Sequence, residues 1–440
     1  MIHRRFKTTL CFLGMLAIPS FTYAQEIKEQ KISVEELFQL VETNHPSLKV
    51  SRSDIDISNQ SIKVTKNQYL PEVAVGAQAY YLGDVQVLDK NFGNPMRVDM
   101  PHFGNKYSVE ARQLIWKGGV VRNAVEIQNL KKELSELNYE TNEQNIKLLT
   151  LGYYLDLYKL HNQEQVFFKN IELAKQRLEN SNKFYNQGMV TRNDVIRGEL
   201  QLSNLNLALQ VIQNNQSILN KQLIVALGLA DNVIIVPDEN AVTKAHTIAE
   251  VDFYRTEATN HPVIQQTEKA IDIHAVAEKI SRAEMMPSFS LFAGNTLQRP
   301  LTSSTPALDM YSNGWSAGVS FNFSLDGLFK APKKMALNRY EKEKAINQSQ
   351  EVIQMIDVAV NAAYIKYKEA LSQNSTLRVN KNLTEENYRI MESKYNNHLA
   401  ILLDLIDASN SKLDAELQFA NSEITIAFAY YKLLKEVGQL

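Results

Sequence analysis

One cysteine, eleven prolines and sixteen glycines are spread over 440 residues. The cysteine, Cys11, falls in a segment that reads as a leader, so the mature chain has neither a disulfide nor a thiolate metal site. Its place directly after Thr8, Thr9 and Leu10 is too early for a lipid-acceptor cysteine. Beyond the leader no run approaches 18 consecutive apolar residues, which excludes a transmembrane helix. Strong charge is missing as well. The formal balance of −2 becomes −5 when Arg4, Arg5 and Lys7 leave with the leader. Scattered, mildly acidic charge makes no case for nucleic acid. There is no phosphate-cradling glycine loop, no GxSxG and no HExxH, and no histidine pair stands at helical spacing. The chain is expected not to be an enzyme and to carry no cofactor and no metal.

What is present begins with residues 1–24. His3–Lys7 is a basic n-region, Leu10–Ile18 an apolar stretch, and Thr22–Tyr23–Ala24 a small-x-small cleavage site. That is a secretory signal; a membrane anchor would need about 20 apolar residues. Thereafter the chain is written twice. Val41–Pro71 aligns without a gap on Glu257–Pro287, with nine of 31 positions identical, including Thr43–Asn44–His45–Pro46 and Thr259–Asn260–His261–Pro262. Tyr185–Asn186…Asp194 returns as Tyr395–Asn396…Asp404. Internal repetition sets the architecture. It divides the chain into a first repeat (25–230), an equatorial connecting segment (231–256) and a second repeat (257–440).

Few breakers over such length predict long helices. Val120–Phe184 contains no proline, and Leu130, Leu134, Leu137, Leu148, Leu151, Leu155 and Tyr158 recur at coiled-coil spacing. Val195, Leu202, Leu205, Leu209, Ile212, Leu219 and Leu223 continue the pattern toward Gly228. The second half repeats it, from about Lys333 to Tyr395 and from Ile401 to Val437. Shorter helices start at Pro46 and Pro262, where His45 and His261 are capping or packing residues. Two short helices laid end to end match one long one, which predicts a rod about 90–100 Å long.

Each upstream short helix ends at a proline, Pro71 or Pro287, and the residues after it alternate in polarity. Strands are expected at about 72–82, 107–116, 288–297 and 315–324, with Val73, Val75, Val109, Leu291, Ala317 and Val319 opposite Gly76, Glu110, Arg112, Ser290 and Ser316. Period-two runs of about ten residues are the signature of outer-membrane strands. Tyr80, Tyr81, Tyr107, Trp116, Trp315 and Phe323 stand near strand ends, where aromatic girdles belong. A soluble hairpin in each half is the other reading of the same alternation. Four strands cannot close a barrel, and lipid tolerates no open sheet edge. The strands must then be shared: two chains give eight, filled by side chains, and three give twelve, with room for a lumen. The expected fold is therefore mainly α, with antiparallel coiled-coil helices that the same symmetry fuses into a tunnel beneath a shared barrel of eight or twelve strands.

The duplicated helix–hairpin–helix–helix order resembles the TolC-like outer-membrane efflux proteins over about Ser33 to Leu440. So do Gln187–Gly188–Met189–Val190–Thr191…Asp194–Val195, Tyr395…Asp404–Leu405–Ile406–Asp407 and Leu227–Gly228–Leu229. The resemblance implies a homotrimer in the outer membrane with most of its mass in the periplasm. It implies a passive duct of a tripartite efflux or type I secretion system, served by a periplasmic adaptor and an inner-membrane pump or ABC exporter. A periplasmic coiled-coil scaffold without a barrel is the alternative.

Asp404 and Asp407, three apart, share one helix face. Acidic residues favour the first turn of a helix for its dipole; a lumen-facing ring of six carboxylates is the functional alternative. Such a ring would select cations and respond to acid. By the resemblance, Asp404 and Asp407 match constriction aspartates, Tyr395 a gate tyrosine, and Asp194 the aspartate bonded by that tyrosine. Ala400 stands where a gate arginine occurs and His398 where a glycine is usual, so half of that closing network is altered. Gly188, Met189, Val190 and Thr191, with Leu399, Ala400 and Ile401, are turns that would also serve as adaptor-contact tips.

Overall fold

A computed structural model describes residues 28–238, 248–304, 306–397 and 399–440. The leader, Cys11 and His398 lie outside the described residues. The elements run β1 (Lys28–Ile32), α1 (Val34–Asn44), α2 (Pro46–Lys66), β2 (Glu72–Tyr81), β3 (Val85–Val87), β4 (Met96–Val98), β5 (Phe103–Trp116), α3 (Val120–Asn186) and α4 (Arg192–Leu227). They continue with β6 (Val233–Pro237), α5 (Val251–Glu257), α6 (Pro262–Ala283), β7 (Ser288–Arg299), β8 (Ser312–Asn322), α7 (Gly327–Asn396) and α8 (Leu402–Val437).

The two long helices carry the rod. α3 has 67 residues and spans about 100 Å at 1.5 Å per residue. The short helices α2 and α4 lie along it, while α6 and α8 lie along α7. Because α3 also packs on α6 and α8, the order across one chain is α2/α4, α3, α6/α8, α7. The inward seam of α4 is the expected one, with Val195, Leu205, Ile212 and Leu223 buried. α7 begins at Gly327, six residues before the expected Lys333, and runs through Pro332. A proline there forfeits one backbone bond. The helix persists because Ala331 is fully buried and Lys334 reaches Glu284 of α6 at 2.7 Å.

Where two short helices meet end to end, both repeats build the same joint. His45 Nδ1 accepts the Ser47 amide at 3.2 Å and His261 Nδ1 the Val263 amide at 3.1 Å. Both histidines therefore cap their helices. The incoming helix stops on a left-handed glycine, Gly228 (φ 65°) or Gly438 (φ 86°). The largest buried cluster surrounds the first joint. It joins Val41, Leu48, Leu151, Leu155, Leu223 and Leu227 to Ile32 of β1 and to Val233 and Ile235 of β6, which pair in parallel. Tyr154 sits fully buried at its centre. Its hydroxyl donates to the Ile32 carbonyl at 2.7 Å and accepts the Asp238 amide at 2.8 Å. Burial pushes its pKa up to about 12.

The second layer of structure is a four-stranded antiparallel sheet, β2-β5-β7-β8. β5 starts at Phe103 rather than 107, and β7 and β8 are shifted by two or three residues at the turn end. Register aligns the apolar residues of the strands in rows, Val73, Ala111, Ala293 and Ala317, then Val75, Val109 and Trp315, the second row interrupted on β7 by Asn295. The opposite face carries Glu72, Arg112, Phe292 and Gly318, then Gly76, Ser108, Thr296 and Gly314. On that face Tyr80 lies against Gly104 of the neighbouring strand, where a Cβ would collide with the ring. The apolar face is uncovered: Val75 is 79% and Trp315 80% exposed. Among the described residues both outer edges, β2 and β8, are unpaired, so the sheet is open and not a barrel. Among the described residues no helix is long and apolar enough to cross a membrane.

Replacing Tyr154 with Phe strands one buried carbonyl and one amide. The expected loss is about 1–3 kcal/mol, read as a lower thermal midpoint. An unchanged midpoint would show that the equatorial strands do not depend on this hydroxyl.

Candidate functional site at the helix tips

The far end of the rod consists of two helical hairpins, α3–α4 and α7–α8. α3 ends in a turn in which Met189 N reaches Phe184 O at 2.9 Å, with Gly188 at φ 73°. At the equivalent turn Leu399 N reaches Lys394 O at 2.8 Å. These bonds satisfy carbonyls that the helix end leaves orphaned. Met189, Leu399 and Ile401 point into solvent, Leu399 being 77% exposed. Val190 and Ala400 are half-buried beside them.

The two tips differ at their caps. Thr191 and Asp194 form a reciprocal capping box. Asp194 Oδ2 accepts the Thr191 amide at 2.8 Å and its hydroxyl at 2.7 Å, and Thr191 Oγ1 accepts the Asp194 amide at 3.3 Å. In the second repeat the cap position is Ile401, which has no oxygen to offer. Only the Ile401 amide to Asp404 remains, at 3.4 Å. Asp404 and Asp407 are both exposed, on the side of α8 opposite buried Leu402, Leu405 and Ala408. The same local chemistry therefore commits Asp194 fully and leaves Asp404 largely free.

Tyr395 is not bonded to Asp194 in this chain. It is buried between Leu402 and Leu405, and its hydroxyl stands 3.4 Å from Ser181 Oγ on α3. Above it lies a group that the sequence did not signal. Arg177 of α3 donates to Ser409 of α8 at 3.1 Å and to Gln201 of α4 at 3.4 Å. Its guanidinium also lies 5.8 Å from the Tyr388 ring of α7. Lys412 stands over the same ring at 4.9 Å, and Tyr388 donates to Glu392 at 2.7 Å. Burial first, then the Glu392 bond, raises the Tyr388 pKa to about 12. Gln201 adds a bond to Asn410 at 3.4 Å. One arginine thus touches all four helices of the two hairpins. An arginine on a periodic helix has no local motif to mark it; only the polar gap in the seam at Gln201 and Ser409 hints at a buried partner. Below Arg177, Leu200, Leu205, Leu403 and Ile406 line a groove of about 320 Å³ between α4 and α8.

No three His, Cys, Asp or Glu among the described residues are grouped so as to hold a metal ion. The arrangement offers no nucleophile–base pair. It offers two exposed helix turns, a polar cluster around Arg177 that joins the two hairpins and an exposed carboxylate face.

Comparison with known proteins agrees with this geometry. The family model "Outer membrane efflux protein" matches residues 254–439, the second repeat. Outer membrane efflux protein BepC of Brucella suis biovar 1 (strain 1330) is 19% identical over 401 residues, covering 90% of this chain and 83% of BepC. The fold is also that of the Campylobacter jejuni CmeC outer membrane channel (TM-score 0.71, 16% identity, 92% of this chain and 85% of CmeC). It is likewise that of the outer membrane protein VceC from Vibrio cholerae (TM-score 0.72, 14% identity, 92% and 96%). The fold resemblance to TolC-like outer-membrane efflux proteins therefore holds. CmeC is an outer membrane channel.

Ile401→Thr should complete the second capping box and stabilise the start of α8 by about 0.5–2 kcal/mol. Slower amide exchange at Leu402–Leu405 would register it; unchanged exchange would mean that the cap is already satisfied from elsewhere.

Proposed function

We propose that this chain, TolC-like in fold along its length and an outer membrane efflux protein domain over its second half, is the exit duct of a tripartite efflux or type I secretion system. Three copies would pool their sheets into a 12-stranded barrel and their helices into a periplasmic tunnel. An adaptor would seat on the Gly188–Thr191 and Leu399–Ile401 tips, and an inner-membrane pump or ABC exporter would hand over cargo.

The observation that carries this reading is the open sheet with one uncovered, mainly apolar face, on which Val73, Val75, Val109, Ala111, Ala293, Ala317 and Trp315 surround Asn295. In water that face would be an aggregation surface; in lipid it is the required exterior, provided both edges find partners. The helices are incomplete in the same sense. Val50, Ile57 and Val64 on α2, and Leu200, Leu207, Val211, Ile218 and Val225 on α4, form exposed stripes. Val358, Ile365, Val379, Leu383 and Ile390 do so on α7. These stripes lie on the helices at the two flanks of the chain. β2 follows α2 and β8 leads into α7, so joining β8 of one copy to β2 of the next brings the stripes together as well. A periplasmic scaffold without a barrel would leave Val75 and Trp315 in water.

Glu72, Lys106, Glu110 and Arg112 are the charges on the polar face of the sheet, among Gly, Ala, Ser and Thr. A barrel lined this way is roomy and near neutral, so discrimination falls to the tips. Asp404 and Asp407 are the groups left to form a cationic filter, six carboxylates around the threefold axis. Arg177 and Tyr395 hold the α7–α8 hairpin to α3, and the weaker cap at Ile401 makes that hairpin the one to move.

Washed outer membranes should retain the protein as a trimer that conducts in planar bilayers; a soluble, non-conducting protein would refute the duct. Asp404→Ala with Asp407→Ala should leave assembly intact and abolish cation preference, and unchanged selectivity would remove the ring. Arg177→Ala with Tyr395→Phe should raise resting conductance, whereas an unaltered closed level would show that the lock lies elsewhere.

A further inference from the structure

The two joints of the rod are built alike but stitched differently. At the first, the Asn44 amide donates to the Leu227 carbonyl at 3.0 Å, and Gly228 packs on Asn44, where a Cβ would stand 2.9 Å from the Asn44 Cβ. That stitch runs through Asn44, while His45 beside it caps only α2. At the second, the glycine packs on the histidine itself: a Cβ at Gly438 would stand 3.1 Å from His261 Cδ2 and 3.0 Å from Pro262 Cδ. His261 is only 6% exposed. Its Nδ1 accepts the Val263 amide at 3.1 Å, a role that only the neutral imidazole can fill with that nitrogen.

We infer that His261 makes the α6–α8 joint acid-labile, so that acid frees the anchored end of α8. A proton on Nδ1 breaks the cap of α6 and places a cation under the ring's lid of Gly438. The charged groups that the ring feels are Lys435, which opposes the proton, and Glu436, which favours it. Both are on α8 and lie 3.5 Å apart as a pair. α5 contributes Glu257, held by Gln439 at 2.7 Å, and α3 the uncharged Gln144, donating to the Gly438 carbonyl at 3.0 Å. Burial, ahead of Lys435, lowers the His261 pKa below its ordinary 6.5. The joint is therefore fully intact above about pH 6.5 and weakens as pH falls below that value, until the folded histidine also titrates. The device rests on this chain's joint alone and not on the duct function. It matters to that function because α8 carries Asp404 and Asp407 at its other end.

The test is amide exchange on the full-length protein in detergent at pH 7.5 and 5.0, expressed as protection factors that remove the intrinsic pH dependence. Protection over Leu434–Gln439 should fall on acidification, by at most about tenfold for each pH unit below the ordinary histidine value. Protection over Val225–Leu229 at the first joint should stay constant. His261→Asn keeps a capping oxygen and should make the second joint pH-independent. Equal acid loss at both joints, or an acid loss that survives in His261→Asn, would overturn the inference. So would constant protection in the wild type. Conductance plays no part in the readout, so failure of the duct reading and failure of this one are distinguishable.

Discussion

A lipid interior offers no water to a backbone amide, and on the proposed reading that constraint organises this chain more than any single contact. A sheet placed there must pair every N–H and C=O. Four strands satisfy their internal rows and leave β2 and β8 open. The long helices then inherit their positions from the strands. α2 and α7 sit beneath the open edges, and the apolar stripes that would be liabilities on a monomer occur on those flanking helices and on α4, stacked below α2. In the proposed trimer the chain is one sector of a larger object, with its exposed apolar residues on its two flanks and on one face of the sheet.

Much of this was legible in the residues. The repeat, the pairing of one long helix with two short ones and the inward seam from Val195 to Leu223 all follow from periodicity, which survives because burial of one helix face leaves a regular trace. The strand alternation was legible for the same reason, and register made it a continuous surface. Pro332 hides the first six residues of α7, since a proline's local cost is outweighed when the flanking turn is fixed to a neighbour. His45 and His261 were recognisable as caps from the Asn-His-Pro sequence alone.

The tip chemistry was less legible. Arg177 is one basic residue among many on a 67-residue helix, and nothing local separates it from Arg192 or Arg197. Its importance comes from four helices converging on it, a fact of tertiary geometry. The unequal caps could have been read: Thr191 and Ile401 occupy equivalent positions, and only one has an oxygen. Duplication creates two copies of each local device, and divergence then separates their duties. Asp194 serves its own helix while Asp404 is left largely free, and the end of α4 rests on Asn44 while the end of α8 rests on His261.

The ring of Tyr80 lying on Gly104 has a further meaning for how such an object is assembled. A slip of one residue between β2 and β5 would set that ring against a side chain and turn the oily rows inward at the same time. In the proposed trimer, alignment within each sheet would then be fixed by the chain itself, and only the β8–β2 seams between copies would remain to be matched.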